Sequence, residues 1–250
     1  MLLAHTDISN MMRRLIEMPR PFTKSVALNC AIGWLENLAG DRSLVLPTYN
    51  YEFPSSKAFD PIMDFCEVGA IPEFARQLED WNRTAAPVFS HTSRGRMNSS
   101  ELNPFGVESL FGMLDEEYGQ IALVGVGCRS LTFLHYVEEI AGVSYRYQKT
   151  FSGKIKVEGN WEITESSWHV RPKDFGLEYD FDKIQSLLID KGALRQIHPQ
   201  VLLGNASDIR HELIYAMSKD PLWLLDAATR INVNRELDRL GRAFQLEDFE

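Results

Sequence analysis

Residues 121–139 read IALVGVGCRSLTFLHYVEE, and this stretch decides the fold class. An apolar run from Ile121 to Val126 contains Gly125, and a polar segment, Cys128-Arg129-Ser130, follows directly after Gly127. This order predicts a buried strand, a turn, and a helix whose first residues overhang the carboxyl end of the strand. Open α/β sheets bind their ligands at that edge. We therefore expect an α/β fold with a site where this strand ends.

The predicted helix carries His135 and, three residues later, Glu138. Residues at i and i+3 share a helix face, so the carboxylate can lie beside the imidazole. Such a carboxylate orients a general base and raises the pKa of the histidine. Glu139 is the alternative partner, one residue further along the helix. A lone histidine on a helix is more often a structural hydrogen-bonding residue than a base, so the pair alone does not establish catalysis.

The string G-V-G-C-x-S-x-T-F-L-H-Y-x-E-E in this stretch resembles the signature of the aminoglycoside 3-N-acetyltransferase family. Five further blocks resemble the family, occur in its order, and cover about the first 150 residues. They are LLAHTDIS (2–9), LVLPTYNYEF (44–53), FDPIMDFCEVGAIPEFAR (59–76), RTAAPVFSHTSRG (83–95) and FGVESLFGML (105–114). The resemblance implies an α/β fold with a central mixed sheet flanked by helices. It also implies direct transfer of an acetyl group from acetyl-CoA to a sugar amine.

The resemblance also implies roles for individual residues. His135 is the base that deprotonates the acceptor amine, and Glu138 is its partner. His5 and Thr6, in the block that resembles V-H-S-S-L, lie near the CoA. The other candidate donor-binding residues are Lys24, which supplies a positive charge at a helix start, Arg83, Ser90 and Ser109. Asp64 and Glu67 are candidates for holding a cationic acceptor.

Several positions depart from the family pattern. Ala86 and Phe89 stand where the family has two histidines, so acceptor recognition differs more than donor binding does. Asp7 replaces a serine and is expected either to cap a helix or to take part in donor binding. The family's glycine pair is replaced by the segment Pro21–Ser25, in which Thr23 or Ser25 can cap the next helix. Cys128 invites a nucleophile hypothesis, but no histidine is near it in sequence and the family transfers acyl groups directly, so we expect an inert thiol.

Composition narrows the class of protein. The chain has 250 residues, enough for one large α/β domain, and no apolar run long enough to span a membrane. A net charge of −9 disfavours a nucleic-acid partner. The N-terminus has no signal-peptide pattern, and three widely spaced cysteines predict free thiols in a reducing cytoplasm rather than a disulfide framework or a zinc site.

The hydrophobic pattern predicts one domain, residues 1–250, with a β-rich insertion. The predicted elements are a helix over 26–38 stopped by Gly40, a strand at 44–46, a helix starting in 68–78, a loop over 96–108, antiparallel strands over 151–172, and helices over 181–195 and 207–242, the last with a helix start at Asp220-Pro221.

The sequence is therefore interpreted as an acetyl-CoA-dependent N-acetyltransferase that acts on a small amino sugar. The altered 83–95 block favours an acceptor other than a clinical aminoglycoside, such as an amino sugar of cell-surface polysaccharide or natural-product assembly. Backbone amides near Gly125–Cys128 or in the 105–109 loop are candidate donors to the oxyanion. Two alternatives remain: a formyl or other short-acyl transferase, and a non-catalytic CoA-binding relative. No metal is predicted, and a homo-oligomer is compatible with the sequence.

Overall fold

Residues 1–14, 22–95, 103–173 and 175–249 are described by the structure, a computed structural model. The strands are Leu2–Thr6 (β1), Leu44–Pro47 (β2), Ala58–Phe59 (β3), Trp81–Arg83 (β4), His91–Arg94 (β5), Gln120–Val124 (β6), Tyr147–Val157 (β7), Asn160–Val170 (β8), Arg195–His198 (β9) and Val201–Asn205 (β10). The α-helices are Ile8–Arg14 (α1), Lys24–Ala39 (α2), Phe53–Ser56 (α3), Ala70–Ala75 (α4), Leu110–Glu116 (α5), Phe133–Ala141 (α6), Phe181–Asp190 (α7), Ala206–Lys219 (α8) and Ala227–Leu240 (α9).

A seven-stranded mixed sheet forms the centre, in the order β4-β5-β2-β1-β6-β10-β9. The three inner strands β2, β1 and β6 are parallel, and the outer strands join antiparallel. A second, three-stranded sheet is built from β3, β7 and β8. The predicted fold class, a mixed sheet flanked by helices with a β-rich insertion, is confirmed.

Helices cover both faces of the large sheet because side chains alternate along its buried strands. Leu2 and Ala4 of β1 pack with Leu28 of α2 on one face. Leu3, on the opposite face, belongs to the core cluster that includes Phe111 of α5 and Phe133 of α6. The inner strands are buried on both sides, which explains why they are apolar without a break. No helix of the described ranges has the length and apolar character that crossing a membrane requires.

Two expected element boundaries agree with the structure. Helix α2 ends at Gly40, whose amide donates to the Glu36 carbonyl at 3.0 Å and whose φ is 61°. The β-rich segment is the β7–β8 hairpin, which begins at Tyr147 rather than 151 and ends at Val170. Of the expected 96–108 loop, residues 96–102 lie outside the described part of the chain, as does Pro21 of the segment before α2.

Two expected helices are wrong in extent. The helix expected over 181–195 ends at Asp190, because Gly192 adopts a φ of 73° and the chain turns into strand β9. The helix start expected at Asp220-Pro221 is a turn instead. Helix α9 begins after Asp226. The Asp226 carboxylate accepts from the Thr229 amide at 2.7 Å and so caps the first turn of the helix.

Candidate active site

The connection from β6 to α6 lies at the carboxyl edge of the parallel strands. Gly125 adopts a φ of 72°, and a Cβ there would lie 2.8 Å from the Cβ of Asn10. The side-chain amide of Asn10 donates to the Gly125 carbonyl at 2.7 Å. Glycine is needed here because the turn has a left-handed conformation and packs against helix α1. This contact fixes the position from which α6 begins.

Helix α6 brings the expected dyad together. His135 Nδ1 lies 3.0 Å from Glu138 Oε2, and the Glu138 side chain is completely buried. The alternative partner, Glu139, accepts a 2.5 Å hydrogen bond from the side chain of Asn103. The spacing of three residues therefore identified the carboxylate that meets the imidazole.

Three further residues hold Glu138, and the sequence analysis missed all of them. The Tyr145 hydroxyl donates to Oε1 at 2.9 Å, and the Tyr179 hydroxyl donates to Oε1 at 2.8 Å. Arg146 Nε lies 2.9 Å from Oε2 in a buried ion pair, and its guanidinium also donates to the Tyr179 hydroxyl. Tyr145 and Arg146 lead into β7, and nothing in their spacing relates them to the helix that precedes them.

These charges set the protonation state of the dyad. Burial raises the pKa of Glu138, but Arg146, His135 and Tyr179 outweigh burial and hold that pKa at about 2. Burial and the charge of Arg146 lower the pKa of His135 and together exceed the opposite effect of Glu138. Glu138 thus acts to raise the pKa of the histidine, but the expected net rise is wrong, because burial and a cation that the sequence did not reveal outweigh the carboxylate. The imidazole is neutral at neutral pH.

The orientation of His135 follows from its partners. Nδ1 also lies 3.1 Å from an Arg146 nitrogen. A carboxylate is a stronger acceptor than an imidazole nitrogen, so we assign the proton to Nδ1 as donor to Glu138. The lone pair is then on Nε2. The ring packs edge-on against Phe105, with centroids 5.4 Å apart.

A cleft of about 220 Å³ opens at the same edge of the sheet. His5 and Thr6, two of the expected donor-binding residues, line it at the end of β1. Residues that line it from other elements include Tyr49, Arg129 and Thr132, the residue that precedes α6. The structure thus places His5, Thr6 and the start of α6 around one cavity.

The polar atoms of Arg83 and Ser90 form hydrogen bonds inside the protein. The Ser90 hydroxyl, fully buried, donates to the Thr48 carbonyl at 2.7 Å and accepts from Arg83 Nε at 2.9 Å. The Arg83 guanidinium donates to the carbonyls of Thr48 and Asp64. Burial lowers the pKa of Arg83 to about 10. These contacts favour a structural role that joins the loops after β2, since the polar atoms of both side chains already have protein partners.

Ser109 also has a protein partner. It is buried and caps helix α5, accepting from the Gly112 amide at 3.3 Å. Lys24 is exposed in the first turn of α2, at the edge where β1 ends, because α2 runs back across the sheet between two parallel strands. Thr23 caps this helix as expected, and Asp7 caps α1 through the Ser9 and Asn10 amides. Within the described part of the chain, the Lys24 ammonium has no hydrogen bond or ion pair, and it is therefore a candidate to contact an anion.

Asp64 and Glu67 lie in the loop before α4. Asp64 Oδ2 accepts from the Asp60 amide at 2.8 Å, and Glu67 Oε1 accepts from the Tyr51 amide at 2.7 Å. Both carboxylates therefore order the loop. A different acidic cleft, of about 280 Å³, is lined by Asp180, Asp182 and Asp226 together with Tyr179 and Arg129. The sequence analysis missed it because its carboxylates come from two helix starts 46 residues apart in number.

The thiol and several amides named as candidates are not free. Cys128 is buried, and burial raises the pKa of its thiol to about 12, so it is not a nucleophile. The Gly125 amide donates to the Gln200 carbonyl at 2.7 Å, and the Cys128 amide donates to the side chain of Gln185 at 3.1 Å. In the other loop, the Phe105 amide donates to the Asn103 side chain and the Ser109 amide to the Gly106 carbonyl.

The altered 83–95 block places an aromatic ring near the dyad. Val88 has a φ of 72°, and the Phe89 amide donates back to the Pro87 carbonyl at 2.9 Å, a strained turn for a β-branched residue. The turn sets Phe89 4.6 Å from the ring of Phe105, which in turn contacts His135. An apolar wall thus replaces a position for which the family pattern has a histidine.

Comparisons with known proteins identify the family and the fold. The family model described as aminoglycoside 3-N-acetyltransferase matches residues 41–208. Among solved structures, the apoenzyme of aminoglycoside acetyltransferase AAC(3)-IVa shares 19% identity at a TM-score of 0.67, covering 94% of this chain and 89% of that one. The AAC-IIIb binary complex with CoASH shares 16% identity at a TM-score of 0.69, covering 87% and 89%. The YokD protein from Bacillus subtilis shares 16% identity at a TM-score of 0.65, covering 86% and 90%.

At sequence identities of 16–19%, the solved structures show only that this chain shares their fold. No curated protein matches the chain by sequence. The family model, in contrast, covers more than half of the chain. The chain therefore belongs to the aminoglycoside 3-N-acetyltransferase family, whose members are enzymes that use acetyl-CoA as co-substrate.

Proposed function

We propose that this protein transfers an acetyl group directly from acetyl-CoA to an amine of an amino sugar, with His135 as general base. The observation that carries the proposal is the buried contact of 3.0 Å between His135 Nδ1 and an ionised Glu138. This contact orients an imidazole that burial and Arg146 keep neutral, so that its second nitrogen can accept a proton. A positioned base of this kind contributes about 10²–10⁴ in rate.

The reaction follows from these groups. The amine attacks the thioester carbonyl carbon, a C–N bond forms, and the carbonyl π electrons move to oxygen. His135 Nε2 takes a proton from the nitrogen, and Glu138 stabilises the imidazolium. The C–S bond then breaks, and the CoA thiolate receives the proton from His135. No acyl-enzyme is formed on Cys128, whose thiol stays protonated.

Two clefts share Arg129 in their linings. One is also lined by Thr132, which precedes α6, and the other by Tyr179, whose hydroxyl donates to Glu138. We assign the thioester end of acetyl-CoA to the cleft of His5 and Thr6. We assign the cationic acceptor to the acidic cleft of Asp180, Asp182 and Asp226, next to Tyr179. Proteins of this fold have been solved with apramycin and with sisomicin, both amino sugars.

The acceptor differs from a clinical aminoglycoside in this proposal. Ala86 is buried, and Phe89 forms an apolar wall with Phe105 where the family pattern has histidines. Such a wall favours a sugar that presents an apolar or deoxygenated face. We further propose a reducing compartment such as the cytoplasm, in keeping with the free thiols of Cys30, Cys66 and Cys128.

The test is a thiol-release assay with acetyl-CoA and a panel of amino sugars. The wild-type protein should release CoA in proportion to acetylated amine, and His135→Gln should lose at least about a hundredfold in turnover. His211→Gln, on the exposed face of α8, is the matched control and should keep full turnover. Activity only with formyl or longer acyl donors would favour the short-acyl alternative. An inactive wild-type protein that still binds acetyl-CoA would favour the non-catalytic relative.

A further inference from the structure

His5 is a buried polar side chain without a partner. It is 5% exposed and lines the cleft assigned above to the thioester. Its Nε2 atom makes no hydrogen bond with any described residue. An unpaired polar group inside a protein costs about 1–3 kcal/mol, and such groups persist where a ligand completes the bond.

The strand geometry places His5 on the same side of the sheet as His135. Side chains alternate along β1, so His5 shares a face with Leu3. Leu3 belongs to the core cluster that contains Phe133 and Leu134 of helix α6. Thr132 lines the cleft with His5, and its carbonyl accepts from the His135 amide at 3.0 Å. The cleft thus lies between the end of β1 and the helix that carries the base.

The His5 imidazole is also neutral at neutral pH and can donate a hydrogen bond. Burial lowers its pKa to about 4, so at neutral pH the ring carries one N–H and one lone pair. A neutral imidazole donates a hydrogen bond to a developing negative charge without losing its proton. Four of the amides in the two segments expected to supply oxyanion donors, those of Gly125, Cys128, Phe105 and Ser109, are already bonded within the protein.

We propose that the N–H of His5 donates a hydrogen bond to the thioester carbonyl oxygen and stabilises the oxyanion formed when the amine attacks. This role rests on the proposed acetyl transfer and adds to it the group that polarises the donor. No proton is transferred at His5: negative charge grows on the oxygen as the C–N bond forms and leaves it as the C–S bond breaks. His135 and His5 then act on the two reactants, the amine and the thioester.

The kinetic test compares His5→Leu with variants that keep an N–H. His5→Leu should lower kcat by about 10²–10³ while changing the KM for acetyl-CoA by less than about threefold. Its melting temperature should stay equal or rise, because an unpaired polar group is removed. His5→Gln or His5→Asn should regain part of kcat. His211→Gln changes an exposed histidine on α8, outside the residues that line the cleft, and serves as the control.

A spectroscopic test needs no acceptor. Infrared difference spectra of acetyl-CoA labelled with ¹³C at the carbonyl should show a lower stretching frequency on the wild-type protein than on His5→Leu. His5→Val replaces His5→Leu if that variant does not fold. An equal carbonyl frequency in both proteins, an unchanged kcat, or a loss entirely in KM for acetyl-CoA would overturn the role of His5. A wild-type protein that shifts the carbonyl yet acetylates no amine would refute the proposed function and leave the hydrogen bond established.

Discussion

Glu138 and Arg146 act on His135 from almost equal distances with opposite charges. His135 Nδ1 lies 3.0 Å from Glu138 Oε2 and 3.1 Å from an Arg146 nitrogen. Two unit charges 4 Å apart interact by about 4 kcal/mol at an effective dielectric constant of 20. The two effects on the imidazolium therefore nearly cancel, and burial decides that its pKa is lowered. Removing either charge should unbalance the pair.

We therefore expect single substitutions to shift the pH–rate profile in opposite directions. Catalysis needs the neutral imidazole, so the rate falls as the pH drops through the pKa of His135. Glu138→Gln should lower this pKa and move the acidic limb to lower pH, by about one to three units, and reduce the maximal rate. Arg146→Met should raise the pKa and move the limb to higher pH by a similar amount. Arg146→Lys, which keeps the charge, should shift it least.

Stability provides an independent measurement. Each single substitution leaves one buried charge unpaired, which typically costs about 3–5 kcal/mol. The double variant Glu138→Gln/Arg146→Met removes both charges and should recover most of that loss in urea unfolding. Arg239→Met breaks a solvent-exposed pair with Glu236 on α9 and is the control for both assays. Acidic limbs that move in the same direction, or that do not move, would refute the balance of charges on His135.

Three further outcomes are expected. Arg83→Met should lower the free energy of unfolding by about 2–4 kcal/mol, because backbone carbonyls lose their donor, and should leave the KM for acetyl-CoA unchanged. A raised KM for acetyl-CoA at unchanged stability would instead make Arg83 a phosphate ligand. Asp182→Asn should raise the KM for a polycationic acceptor roughly three- to tenfold at low salt, whereas Asp190→Asn at the far end of the same helix should not. The pKa values of His5 and His91 are lowered by burial to about 4 and about 3, so each should cost about 2 kcal/mol of stability as the pH falls from 7 to 5. Urea unfolding at both pH values, with His91→Phe showing the shallower dependence, checks this.

The part of the site that the sequence predicts is the part encoded locally. His135 and Glu138 lie on one helix, so their contact follows from a spacing of three residues. Tyr145, Arg146 and Tyr179 reach the same carboxylate from two other segments, and no local pattern relates them to it. The same limit applies to the fold: Gly40 and Gly192 stop α2 and α7 through local left-handed turns, whereas the strand order of the central sheet depends on pairings between segments distant in sequence.

Arg83 shows that residue type alone does not determine what a side chain binds. Arg83 lies at the end of β4, in a block that resembles the family pattern, and an arginine is chemically suited to a phosphate. Whether it meets a phosphate depends on the carbonyls that surround it, and here those of Thr48 and Asp64 take its donors. Residue type predicts what a side chain can bind, and only the packed loops determine what it does bind.

The charges around His135 reconcile two requirements of the proposed reaction. A base must be neutral before the amine arrives, and a histidine beside a lone buried carboxylate would bind a proton too readily. Arg146 offsets that attraction and keeps the imidazole neutral, while Glu138 stays ionised beneath it. When His135 takes the proton of the amine, the carboxylate is already in contact with the new positive charge. A dyad without the arginine would hold its proton too tightly, and one without the glutamate would lack the contact that stabilises the imidazolium, so the catalytic unit that we propose is the triad of His135, Glu138 and Arg146.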